Sequence, residues 1–218
     1  MLTPAIKEGL RAGLPTGVAS GLVAISYGVL ARPVLGAVPA VVSSVVIFAG
    51  SAQFAMLAVL SAGGSATAAI LAGVLLNLRF VPMGLALAPW VRGGHARRAA
   101  TGWSTVDASW AMSAREGGRF DVPFMLGASL ANYPAWVGGT LIGVLVGSSI
   151  ADPRALGLDA LFPAFFLALL LEEIHGSRRR GIVALAGALI ALALTPIAPP
   201  GVPVLAAGAA ALMGLRSS

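Results

Sequence analysis

The chain has no cysteine among its 218 residues, which excludes a disulfide framework and a thiolate metal site. Histidine is nearly absent: His95 and His175 are the two present, each beside charged loop residues, so no metal centre is expected. Charge is scarce too, at 10% of residues against 58% hydrophobic, and mean hydropathy is +0.92. A soluble domain needs more charge than this to cover its surface. What remains is a helical protein that crosses a membrane several times.

Charge is missing in long blocks. None occurs from Ala12 to Ala31, from Pro33 to Leu78, from Val122 to Ala151, or from Gly181 to Leu215. About 20 apolar residues cross a bilayer core of roughly 30 Å as a helix. Seven apolar segments are read, over 12–31, 36–60, 66–90, 122–149, 156–171, 181–197 and 202–215. The last two flank "TPIAPPGVP", whose prolines interrupt any helix, so they are two short spans or two half-helices. The expected fold class is an all-α polytopic membrane protein with about seven transmembrane segments, forming one transporter domain over 1–218. Residues 99–116 carry Asp107 mid-segment and are read as an interfacial or cavity-lining helix. The first apolar run has full span length and no small-x-small cleavage site, so it is read as a span and not as a signal peptide.

The few cations set the orientation. With seven crossings, the N-terminal side carries Lys7, Arg11 and Arg154, and the other side carries ten arginines including Arg92, Arg97, Arg98, Arg115 and Arg119. The richer side is cytoplasmic by the positive-inside rule, which puts the N-terminus outside and the C-terminus in the cytoplasm. The net charge of +6 does not point to nucleic acid, because the arginines sit at the ends of apolar runs and not in a basic stripe with aromatics. The lipid bilayer is the expected surrounding, and no nucleic acid is expected as a partner.

A faint internal repeat runs through the chain. Leu71-Ala72-Gly73 followed by Pro82 recurs 114 residues later as Leu185-Ala186-Gly187 followed by Pro196. Candidate halves lie at about 10–92 and 122–198. Three crossings per half would make this an inverted three-plus-three repeat with broken helices, as in many secondary transporters. The alternative is coincidence in a chain dominated by Leu, Ala and Gly.

In lipid every polar group needs a partner inside the protein, so polar residues within spans form a short list. The stretch "FAGSAQF" carries Gly50, Ser51 and Gln53 between Phe48 and Phe54. Gly50 allows close backbone approach or a helix break. Ser51 and Gln53 offer donors and acceptors, and the two phenylalanines offer apolar walls. "LLNLRFVP" carries Asn77 and Arg79. These lie about 200° apart on a helix, so they face one cavity together with Gln53 only if the helix breaks there or the cavity wraps it. Pro82 loosens that turn by removing the bond to residue 78. Burying an Arg near the bilayer centre costs roughly 2.5–3.5 kcal/mol. Arg79 is therefore a carboxylate-binding or gating residue, or else a structural one bonded to freed carbonyls. Its candidate acidic partners are Asp107 and Asp159. Tyr133 and Trp136 in "NYPAW" complete the list. Ser104, Asp107 and His95 form no catalytic triad, since no nucleophile elbow or oxyanion device accompanies them. No phosphate-binding loop follows a strand. No enzyme activity and no cofactor are expected.

"FAGSAQF", "NLR" followed by Met83-Gly84, "YPAW" and "GLDALFPAFFLALL" together resemble the branched-chain amino acid exporter large-subunit family, the AzlC family. The resemblance runs from about Gly9 to Glu172. It implies a multi-pass permease of the bacterial inner membrane that exports branched-chain amino acids with a small AzlD-type membrane partner. By match, Ser51, Gln53, Asn77, Arg79 and Asp159 carry over. The family often shows an Asp-Glu pair where this chain has Asp107-Ala108, which puts a two-carboxylate proton relay there in doubt.

The residue types suit that reading. A zwitterionic branched-chain amino acid wants a cation for its carboxylate, polar acceptors for its ammonium and an apolar pocket. No nucleotide-binding module is present, so export would draw on a gradient, most simply that of protons. The alternatives are an exporter of another small amphiphilic solute and an accessory membrane subunit that transports nothing.

Overall fold

A computed structural model describes residues 2–147, 149, 164, 167–168, 170–171, 174–199 and 202–208. The described residues are helical almost throughout, since a helix satisfies its own backbone in lipid. The helices are α1 (Pro4–Leu35), α2 (Ala37–Ile47), α3 (Gly50–Ser61), α4 (Ala66–Asn77), α5 (Phe80–Leu87), α6 (His95–Trp103), α7 (Asp107–Ser113), α8 (Val122–Gly147), α9 (Arg178–Leu194) and α10 (Val202–Gly208). A short antiparallel hairpin, β1 (Ala114–Arg115) with β2 (Arg119–Phe120), precedes α8. The described residues form two compact units interleaved in sequence: Met1–Gly50 with Leu78–Ala151, and Ser51–Asn77 with Asp152–Ser218.

The first unit is built on α1 and α8, the two helices among the described residues whose length and composition suffice to cross a membrane unbroken. Small residues let their backbones nearly touch. A β-carbon at Gly13 would lie 2.8 Å from the backbone of Ala128, and one at Gly17 would lie 2.9 Å from the carbonyl oxygen of Ala131. Facing them, Gly139 sits on Gly21 and Ala24, and Gly143 on Ile25 and Gly28. Without a hydrophobic drive in lipid, such close packing is what holds helices together. Polar side chains within the seam are paired. Ser20 Oγ donates to Asn132 Oδ1 at 2.8 Å, and Asn132 Nδ2 donates to Thr16 Oγ1 at 3.1 Å.

Residue numbers rise together along this seam, from Gly9 on Phe124 to Val29 on Gly147. The two helices are therefore parallel. This corrects two sequence expectations. An inverted repeat with halves at about 10–92 and 122–198 would set these first helices antiparallel. The arginine count likewise placed Lys7 and Arg11 opposite Arg92, Arg97, Arg98, Arg115 and Arg119. In the structure all seven lie at one end, the leading end, where both helices begin. Arg32 lies at the trailing end, where it donates to Val144 O. The reason is that the second and third apolar segments are each split into two short helices, so α8 is not the fourth of four alternating full crossings.

The other helices of this unit line up along α8. From the trailing end, α2 runs back beside α1 and α8, held by Tyr27 and Ser43 at 2.8 Å and by Ser44 and Thr140 at 2.8 Å. It stops at Phe48, level with Tyr133 near the middle of α8. α5 leads to the leading end, where Leu87 and Val91 pack on Met125. The stretch 99–116, expected as an interfacial or cavity-lining helix, is broken: residues 95–113 form the hairpin α6–α7. Its tip lies along α8, with Ser109 and Ser129 hydroxyls 3.0 Å apart and the Trp103 and Tyr133 rings 5.2 Å apart.

The second unit contains the α3–α4 hairpin, α9 and α10. Gly63, at φ +79°, ends α3 in a Schellman motif: Gly64 N–H bonds Val59 O at 2.8 Å and Gly63 N–H bonds Leu60 O at 3.0 Å. Ser65 then caps α4 by accepting from Ala68 N at 3.1 Å. Ala55, Val59, Ala69 and Ala72 form the core between the two helices. The proline-rich stretch separates α9 from α10, as the sequence implies.

Candidate functional site

Three interruptions of helix meet in the first unit. The first is at "FAGS". Phe48 ends α2 in the left-handed region at φ 42° and ψ 42°, the only non-glycine residue with positive φ among those described. Such a conformation is strained for a phenylalanine. The ring is held by two others: Tyr133 edge-on at 5.0 Å and Trp103 at 5.9 Å between centroids. The end of a helix leaves carbonyls without partners, and here side chains supply them. Trp103 Nε1 donates to Val46 O at 2.8 Å, and Tyr133 Oη donates to Val45 O at 3.1 Å. The residue after next, Gly50, has no room for a side chain, because a β-carbon there would lie 2.5 Å from the indole of Trp136. Trp136 stacks in turn on Tyr27 at 6.4 Å.

The second interruption is at "NLR". α4 ends at Asn77 and α5 begins at Phe80. Pro82 has no N–H to bond Leu78 O, which accepts from Val81 N–H at 3.0 Å instead. The third is the tip of the α6–α7 hairpin, Ser104 to Val106. Arg79 from the second and Asp107 from the third form an ion pair, with Nη2 to Oδ2 at 2.8 Å. The guanidinium also lies 5.1 Å from the centre of the Phe80 ring. Neither side chain is sealed: Arg79 is 35% and Asp107 59% exposed on the isolated chain.

Of the residues singled out in the sequence, Phe48, Gly50, Arg79, Asp107, Tyr133 and Trp136 therefore lie in one unit, around the three interruptions. Ser51, Gln53 and Phe54 belong to the second unit, where they are buried at the start of α3, with Gln53 1% exposed. Asn77 closes α4 in that unit, and its Oδ1 is buried with no hydrogen-bond partner. Asp159 lies outside the described residues. Sequence reasoning missed Trp103 and Asn132. A tryptophan four residues before Asp107, one of the two candidate partners of Arg79, was the available signal for the first. An Asn beside Tyr133 in an otherwise apolar run was the signal for the second.

The family model for the AzlC protein matches residues 15–150. A protein of Archaeoglobus fulgidus described as an uncharacterized membrane protein is 33% identical over 207 residues, covering 94% of this chain and 91% of that protein. The inner membrane protein YgaZ of Escherichia coli is 30% identical over 204 residues, covering 87% of this chain and 82% of that one. No solved structure matches the chain.

The two aromatic donors that cap α2 make a checkable claim. Trp103→Phe and Tyr133→Phe each keep a ring but leave a carbonyl without its donor. Each is expected to lower unfolding free energy by about 0.5–1.5 kcal/mol, the net worth of a typical intramolecular hydrogen bond. Thermal unfolding of the purified variants reads this, and unchanged stability in both would mean that the caps do not form.

Proposed function

The chain belongs to the AzlC protein family, and on that premise we propose that it is the large permease subunit of a secondary exporter of branched-chain amino acids. The observation that carries this is the Arg79–Asp107 pair at the junction of interrupted helices. A lone cation at membrane depth is costly, and its carboxylate partner offsets that cost. The pair is also exchangeable. Protonation of Asp107 releases the guanidinium to bind a substrate carboxylate, and departure of the proton restores the pair. That exchange couples a substrate carboxylate to one proton. The aromatic rings of Phe48, Trp103 and Tyr133 offer an apolar wall close by in the same unit. Ser51 and Gln53 are pathway residues by resemblance, and a small AzlD-type membrane subunit is the partner by resemblance.

Leucine efflux tests the reading. Arg79→Gln and Asp107→Asn should each reduce efflux at least tenfold at normal membrane abundance. Exchanging the two residues, Arg79→Asp with Asp107→Arg, should restore part of it. Reconstituted in liposomes, the chain should export only with the small subunit present. Wild-type efflux from Arg79→Gln would show that the ion pair is structural. Full efflux from the chain alone would remove the partner from the account.

The leading end, with Lys7, Arg11, Arg92, Arg97, Arg98, Arg115 and Arg119, is the cytoplasmic end in this reading. The N-terminus is then inside. The C-terminal residues 209–218 lie outside the described part, so the expected cytoplasmic C-terminus rests on sequence alone. A reporter fused to the N-terminus and active only outside the cytoplasm should be silent; an active reporter contradicts this placement.

A further inference from the structure

At the leading end a cleft of about 480 Å³ opens between the start of α1, the chain after α5 and the start of α8. Ile6, Phe120 and Leu126 give it an apolar floor, and Trp90, Arg92 and Arg97 stand among its walls. The neighbouring arginines are engaged. Arg98 Nη1 donates to Val91 O at 2.9 Å, and Arg115 donates to Met112 O at 2.9 Å and lies 3.5 Å from Asp121. The side chains of Arg92 and Arg97 have no hydrogen bond or ion pair with any described residue. The nearby acid, Asp121, is already occupied by Arg115 and by Phe124 N–H at 3.0 Å.

Parallel packing adds a second source of positive potential. Both α1 and α8 begin at this cleft, so the positive ends of two helix dipoles point the same way. Antiparallel neighbours would have cancelled. Two unpaired guanidinia above an apolar floor, with a tryptophan beside them, match a ligand that is anionic at one end and hydrocarbon at the other. A free phosphate would use the arginines and leave the floor bare.

We propose that this cleft binds the phosphate of an anionic phospholipid, with the first carbons of its acyl chains on the floor. The full purified chain is the material for the test. Native mass spectrometry counts phosphatidylglycerol against phosphatidylcholine retained from mixed vesicles. The expected preference is on the order of tenfold, the size two basic side chains give an anionic headgroup. Arg92→Gln with Arg97→Gln should bring it close to one. Lys7→Gln with Arg119→Gln removes the same charge from the same end outside the cleft and should leave it standing. The proposal is overturned if the wild type shows no preference or if the control pair loses it equally. It also fails if free glycerol phosphate displaces the lipid, because the ligand is then a soluble phosphate. Should the double variant not fold, the wild type still decides. Brominated phosphatidylglycerol should quench fluorescence that Trp90→Phe removes, and quenching equal to that by brominated phosphatidylcholine contradicts the site.

Discussion

The close parallel contact of α1 with α8 is the constraint on which the first unit rests. Glycines and alanines alternate along it, so the two backbones approach to a distance that no larger side chain permits. Its polar members are satisfied within the seam, as Asn132 is by Ser20 and Thr16. A rigid pair of this kind fixes where α8 presents Tyr133 and Trp136. Those two rings then receive the end of α2, and the Ser129 hydroxyl lower on α8 receives the α6–α7 hairpin.

The opening of two helices within apolar sequence follows from local chemistry. At "FAGS" a phenylalanine takes a strained backbone, and a glycine follows because an indole occupies its side-chain position. Strain of that sort costs of order 1–3 kcal/mol and persists when its surroundings over-determine it. Here two aromatic donors and two ring contacts do so. At "NLR" a proline four residues on withdraws a backbone bond, and the charged side chain finds a carboxylate. Both interruptions coincide with the places where the chain passes between its two units, after Gly50 and after Asn77. Two of the stretches that carry the resemblance, "FAGSAQF" and "NLR", are thus stretches where helix is given up.

Much of this was legible in the sequence. Composition established a helical membrane protein. Gly50 and Pro82 marked the two breaks, because each removes something a continuous helix needs. Asp107 was one of two acids able to meet Arg79, and the structure pairs it. The direction of packing was not legible. A glycine every fourth residue identifies a face of a helix but is the same read from either end. Half-length helices were also hidden, since hydropathy records how apolar a residue is and not whether its N–H is bonded. That is why 36–60 and 66–90 read as full spans and why the arginine count set Lys7 and Arg11 apart from the arginines they lie beside. Asp159 lies outside the described residues, and its role rests on resemblance alone.

Because the chain has no native cysteine, paired cysteines test the parallel seam without background. A β-carbon at Gly21 would lie 3.6 Å from that of Ala135, and one at Gly147 would lie 3.6 Å from that of Val29. Both separations fall in the range of about 3.5–4.5 Å that a disulfide spans. Oxidation in membranes, read by mass spectrometry of the digested chain, should therefore join Gly21→Cys to Ala135→Cys and Val29→Cys to Gly147→Cys. The exchanged pairs, 21 with 147 and 29 with 135, should stay reduced. Cross-linking of the exchanged pairs with none in the first two would mean that α1 and α8 run antiparallel and that the account of the first unit is wrong.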